Sequence, residues 1–181
     1  MMPIGPLMVE HRWIERVISG LRRRLDQSPG RSIDPLYVDR LVDFLRSYAD
    51  RCHHGKEEDI LFRDLGAKRL DPALAETMRQ LTEEHTWARA ATKRLVAANA
   101  SLGAGYQTAL DDVRRLLGEL ASFYPEHIRK EDEDFFRPAM TYLTRAEQDA
   151  MLEEFTGFDA LLVHERYRRI AEELEGEAAP A

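Results

Sequence analysis

Four histidines and two glutamates recur in this chain at one fixed offset. His11 and His85 are 74 residues apart, and so are His53 and His127, and Glu57 and Glu131. The same offset superposes Glu10 on Glu84, Trp13 on Trp87, Lys56 on Lys130, Phe62 on Phe136 and Arg63 on Arg137. A repeat of this kind marks an internally duplicated helical hairpin. Each copy supplies one histidine from its first helix and an H-x-x-x-E from its second, and on a helix positions i and i+4 point the same way. Two hairpins related by a pseudo-twofold axis therefore aim four imidazoles and two carboxylates at a common interior point.

The apolar spacing is helical almost throughout, with Pro and Gly at the expected starts and stops. A first helix carries Leu7, His11, Ile14, Ile18, Leu21 and Leu25 on one stripe and ends before the turn Ser28, Pro29, Gly30. Asp34 with Pro35 starts a second that runs to about Asp64, and Asp71 with Pro72 starts a third that stops near Ser101 to Gly105. The fourth spans roughly Tyr106 to Arg137, where Pro138 ends it, and Pro125 inside it predicts a kink two residues before His127. Thr144 and Glu147 form a capping box for a fifth helix, broken near Gly157, that reaches about Leu174, followed by a frayed tail from Gly176. The expectation is one all-α domain over residues 1–181: an up-and-down antiparallel four-helix bundle, metal-binding over about 7–138, with a C-terminal helix at about 145–175.

Composition narrows the functional classes. Charged residues make up 33% and hydrophobic ones 44%, interspersed, and no apolar run is long enough to span a bilayer. A net charge of -7 disfavours nucleic acid as a partner, and the run Arg22, Arg23, Arg24 reads as a solvated face. The amino end has no basic region before an apolar one, and the single cysteine, Cys52, reads as a small buried residue; both point to a cytoplasmic protein.

The polar residues on apolar stripes carry the chemistry. A single buried histidine is most often a hydrogen-bonded core residue, but two buried glutamates among four histidines would leave negative charge uncompensated unless cations sit between them. His53 and His54 both begin an H-x-x-x-E, ending at Glu57 and Glu58. Helix phase and the repeat favour His53 with Glu57, since His53 continues the stripe of Leu45 and Ala49 and the offset carries His54 to Ile128. His54 and Glu58 are thereby expected outside the ligand set. From His11 and His53 the legs to the turn between their helices are each about 25 Å; those from His85 and His127 differ by about 9 Å, which the Pro125 kink or shifted helix ends would absorb. Nitrogen and oxygen donors without thiolate suit iron, manganese or zinc, and a redox pair of irons best. No histidine has a glutamate three residues before it, which disfavours a ferritin-like site.

The order H, H-x-x-x-E, H, H-x-x-x-E resembles the hemerythrin-like (HHE cation-binding) family. Its two hallmark segments are similar to the stretch from Cys52 to Phe62 and that from His127 to Phe136, and the resemblance covers about Leu7 to Pro138. It implies a non-haem centre of two irons joined by an oxo or hydroxo bridge, with zinc or manganese as substitutes. Glu57 and Glu131 would bridge, and His11, His53, His85 and His127 would be terminal ligands. Oxygen-carrying members have a further H-x-x-x-H on the third helix, whereas Leu81 and Arg89 flank His85 here; His164 stands as a substitute if the fifth helix turns at Gly157. The expected partner is a small diatomic molecule or peroxide, bound, sensed or consumed.

Overall fold

The computed structural model describes residues 2–27, 32–160 and 164–176, and the backbone alone of 164–166, 169 and 176. All regular structure among the described residues is helical. Helix α1 spans Ile4–Gln27. A second rod, residues 35–66, is built from α2 (Pro35–Phe44), π-helical segments Leu45–His54 and Glu57–Phe62, and α3 (Arg63–Gly66). Helix α4 spans Pro72–Gly103. A fourth rod, residues 109–140, joins α5 (Ala109–Arg129), a π-helical segment Lys130–Phe135 and α6 (Phe136–Met140). Two further helices follow, α7 (Arg145–Asp159) and α8 (His164–Gly176).

Three helix starts carry the caps their sequences encode. Asp34 accepts a hydrogen bond from the Leu36 amide at 3.0 Å and Asp71 from the Ala73 amide at 2.9 Å, each with proline as the first helical residue. Thr144 and Glu147 exchange the reciprocal pair of a capping box. Other boundaries differ from expectation. The fourth rod begins at Ala109, after a turn in which Gly105 takes φ +94, a conformation that favours glycine. His85 to Gly103 and Ala109 to His127 are then legs of equal length, so the mismatch expected between them came from misplaced helix ends. Pro138 does not end the rod: the backbone turns at Phe135 (φ -114), and Pro138 lies in the first turn of α6, where amides need no helical acceptor. The fifth helix continues through Gly157 to Asp159, and α8 starts anew at His164. The expected Ser28–Gly30 turn and the tail beyond Gly176 lie outside the described residues.

Pro125 lies within α5 and withholds the amide hydrogen that the Ala121 carbonyl would normally receive. Arg22 of α1 donates to that carbonyl instead, at 3.0 Å. The proline is thus accommodated by a neighbouring helix.

The core is divided in two. One apolar cluster contains Ile14 to Leu21 of α1, Tyr37 to Ala49, Ala91, Leu95 and Val113 to Tyr124, with Ala171 and Leu174 of α8. The other contains Ile4, Leu7, Ile60 to Leu65, Leu74, Leu81 and Phe135 to Leu143, with Met151 and Phe155 of α7. Between them lies a buried layer of polar side chains. Each of the first four rods contributes residues to both clusters and so crosses that layer. Burial of the two clusters holds the layer in place, since each Leu, Ile or Phe contributes about 1.5–3 kcal/mol.

Candidate metal centre

His11, His53, Glu57, His85, His127 and Glu131 all point into this layer, each at most 2% exposed. His11 Nε2 lies 2.8 Å from His53 Nε2 and 3.1 Å from Glu131 Oε2. Glu57 reaches both halves of the repeat, with Oε1 3.5 Å from His53 Nε2 and Oε2 3.4 Å from His85 Nε2. Glu131 does the same, with Oε1 3.2 Å from His127 Nε2 and 3.5 Å from His85 Nε2. Each carboxylate therefore offers one oxygen to each pair of histidines.

The outward-facing nitrogens fix the tautomers. His11 Nδ1 donates to Asp132 at 2.8 Å, His53 Nδ1 to Glu10 at 3.0 Å, His85 Nδ1 to Glu58 at 2.7 Å and His127 Nδ1 to Glu84 at 2.7 Å. With Nδ1 engaged outward, every Nε2 faces inward, the carboxylate–imidazole arrangement of metal-ligating histidines. The four carboxylates obey the repeat too, Glu10 with Glu84 and Glu58 with Asp132. Arg89 anchors Glu58 at 2.7 Å, and Arg12 pairs with Asp132.

Electrostatics within the layer are strained without a cation. Burial and the Glu131 charge push the Glu57 carboxyl well above the usual range. Burial would raise Glu131 as well, but His127, His11 and His85 outweigh it and hold it low. Burial lowers His11, yet Asp132 and Glu131 overcome that and raise it to about 9, while burial and the His11 charge lower His53 to about 4. Both oxygens of Glu57 and of Glu131, and Nε2 of His85 and of His127, are buried with no hydrogen-bond partner. Unpartnered buried acceptors of this kind cost about 1–3 kcal/mol apiece. A set of lone pairs converging on one small volume fits metal cations, which need acceptors only.

Of the two places expected for His54, around the ligands or at the surface, the structure excludes the surface: it is 1% exposed, its ring stacks on His85 at 3.8 Å, and both ring nitrogens lack a hydrogen-bond partner. The expectation assumed α-helical phase. Between Leu45 and His54 the backbone instead bonds i to i+5, which aligns residues five apart, and Phe44, Ala49 and His54 form one buried row. Potential ligand atoms fall into two groups, each within 4.8 Å of one another: His11, His53, Glu57 and Glu131, and His54, His85 and His127. Glu58 belongs to neither group and accepts the His85 Nδ1 hydrogen instead. His164 opens α8, but its side chain lies outside the described residues.

One side of the layer is sealed by α7. Lys56, fully buried, pairs with Glu10 and with Asp159 at 2.6 Å. Burial would lower this lysine, but Glu10 and its other partners raise it, so it stays charged. Cys52 Sγ lies 3.7 Å from Asp159, and burial, then the Glu10 charge, push its thiol up, leaving a poor nucleophile, as its sequence context suggested. Lys130, the counterpart of Lys56, pairs with Glu84 but is a quarter exposed. Sequence reasoning left Glu58 around the ligands or at the surface and missed Asp132 as an Nδ1 partner, although the 74-residue offset relates the two.

A buried, acceptor-rich site of imidazoles and carboxylates inside a helical scaffold defines a metal-binding helical protein. The model of the hemerythrin HHE cation-binding domain matches residues 2–139, and the chain belongs to that family. Its members bind metal cations, typically iron, and the histidine and glutamate clusters described above are in place for that role. Searches of curated proteins and of solved structures return no match. Among the described residues, no helix is long and apolar enough to cross a membrane.

Proposed function

We propose that this chain is a non-haem di-iron protein that binds or senses oxygen, nitric oxide or peroxide, or that buffers iron. In this reading the four rods form the up-and-down antiparallel bundle of the family, His11, His53, His85 and His127 are terminal ligands, and Glu57 and Glu131 bridge the two metals. The observation that carries it is the orientation of the four histidines: each gives its Nδ1 hydrogen to a carboxylate and turns Nε2 toward two glutamates whose oxygens have no hydrogen-bond partner.

A bound iron pair would supply the electrons for reaction with a small oxidant. The chain's own residues set the conditions. Asp132, Glu10, Glu58 and Glu84 hold the imidazole planes and raise their basicity. The two apolar clusters keep bulk water from the layer, with Phe136 stacked on His11 at 5.5 Å and Phe62 facing His85 at 6.0 Å. A cavity of about 400 Å³ reaches this layer from the surface at His54, lined by Arg46, Asp50, Arg89, Lys93 and Tyr124. Its cationic rim suits a small neutral or anionic visitor.

That cavity also favours a second reading, an enzyme that consumes peroxide or oxygen at the same centre. Protein made without a histidine tag, loaded anaerobically with ferrous iron, tests both. Two irons per chain and a stoichiometric change in the visible spectrum on adding oxygen, nitric oxide or peroxide support the binding or sensing role. Sustained oxygen evolution from peroxide supports the enzyme. Retention of zinc alone, or of no metal, overturns the di-iron assignment.

A further inference from the structure

His54 is a buried histidine of the layer that the repeat does not duplicate. The offset carries it to Ile128, an apolar side chain, so the two halves of the centre differ at this position. Its ring is 1% exposed and flanked by His85 at 3.8 Å, and by His127 and His53 at 5.6 Å each. Neither nitrogen finds a partner; the nearest carboxylate oxygen, of Asp50, is 3.6 Å from Nδ1, beyond hydrogen-bond range. A histidine kept merely for packing would satisfy at least one nitrogen, because burying both without partners is costly.

Resting on the two-metal reading above, we propose that His54 is a fifth imidazole ligand, which joins His85 and His127 on one metal while the other metal keeps only His11 and His53. The ligand atoms of the three histidines already lie within 4.8 Å of one another. The consequence is an asymmetric pair: three imidazoles on one side, two on the other, with Ile128 standing where the symmetric partner of His54 would be. His54 also differs from the other four in having no carboxylate on its far nitrogen, and it lines the cavity from the surface. It is thus the least restrained ligand of the set.

The test compares wild type with His54→Ile, which imposes the residue found in the other half, and with His54→Ala, which joins the space of the ring to the cavity. Each full-length protein is loaded with ferrous iron, and iron content, release to a chelator and the visible spectrum are measured. Wild type is expected to hold two irons. His54→Ile should hold close to one, or release its second iron at least tenfold faster, with the helical circular-dichroism signal retained. Adding free imidazole to His54→Ala should restore slow release of the second iron, which a purely structural role does not explain. Two irons in both variants, with wild-type release and spectrum, overturn the proposal. Wild type that fails to hold two irons overturns the parent reading instead, so the failures are separable. If His54→Ile does not fold, the imidazole dependence of His54→Ala decides: its absence refutes the ligand role.

Discussion

Replacing Glu57 by Gln separates what this residue does for the metals from what it does for the fold. The side chain keeps nearly its volume, so the apolar clusters on either side are undisturbed, but the layer loses one of its two buried carboxyl groups. In metal-free protein that loss relieves an unpartnered carboxylate, and stability should hold or rise by about 1 kcal/mol. In metal-loaded protein the opposite follows, because a bridge facing both His53 and His85 is gone. Metal at a hundredfold above its dissociation constant stabilises the wild type by about 2.7 kcal/mol, and for a chain of this size that is an upward shift of about 5–11 °C in Tm. Thermal melts of both proteins, with and without ferrous iron under anaerobic conditions, form the assay. The variant should melt at or slightly above the wild type without metal, and its metal-induced shift should fall below half. An unchanged metal shift, or a metal-free variant melting several degrees lower, would refute the view that Glu57 is there for cations rather than for packing.

Two further predictions concern the scaffold. Arg22→Ala should cost about 1 kcal/mol in denaturant unfolding by leaving the Ala121 carbonyl without its donor, and in a Pro125→Ala background, where the backbone amide returns, the same change should cost nearly nothing. Gly20 lies where a Cβ would come within 3.1 Å of the Glu175 Cα and 3.2 Å of the Leu174 carbonyl. Gly20→Leu should therefore undock α8, exposing Ala171 and Leu174 at a loss of about 1.5–3 kcal/mol and making α8 sensitive to limited proteolysis, while iron content stays unchanged.

Much of this was legible in the chain itself. Apolar stripes and the Asp34, Asp71 and Thr144 caps gave the helix starts, because capping is local chemistry. The 74-residue offset gave the six converging side chains, because a duplicated hairpin repeats its geometry with its residues. His54 was not legible. Its inward orientation depends on π-helical winding between Leu45 and His54, which no α-periodic template anticipates, and its absence from the repeat argued against it. Arg22 and Ala121 are brought together only by packing of α1 on α5, so no local pattern announces their bond. The interrupted rod at Phe135 was hidden for a similar reason: Pro138 reads as a stop, yet it is the third residue of a new helix, within a first turn that tolerates it.

Glu10 and Lys56 beside His53 are buried and linked to a partly exposed Asp159 on α7, whereas their counterparts Glu84 and Lys130 beside His127 are each about a quarter exposed. The two imidazole pairs consequently differ in how they communicate with bulk water. The carboxylate on His127 touches water directly, while the one on His53 is covered by a charged lysine held beneath α7. Duplication made the halves alike, and a helix laid across one of them gave the centre a wet face and a dry one.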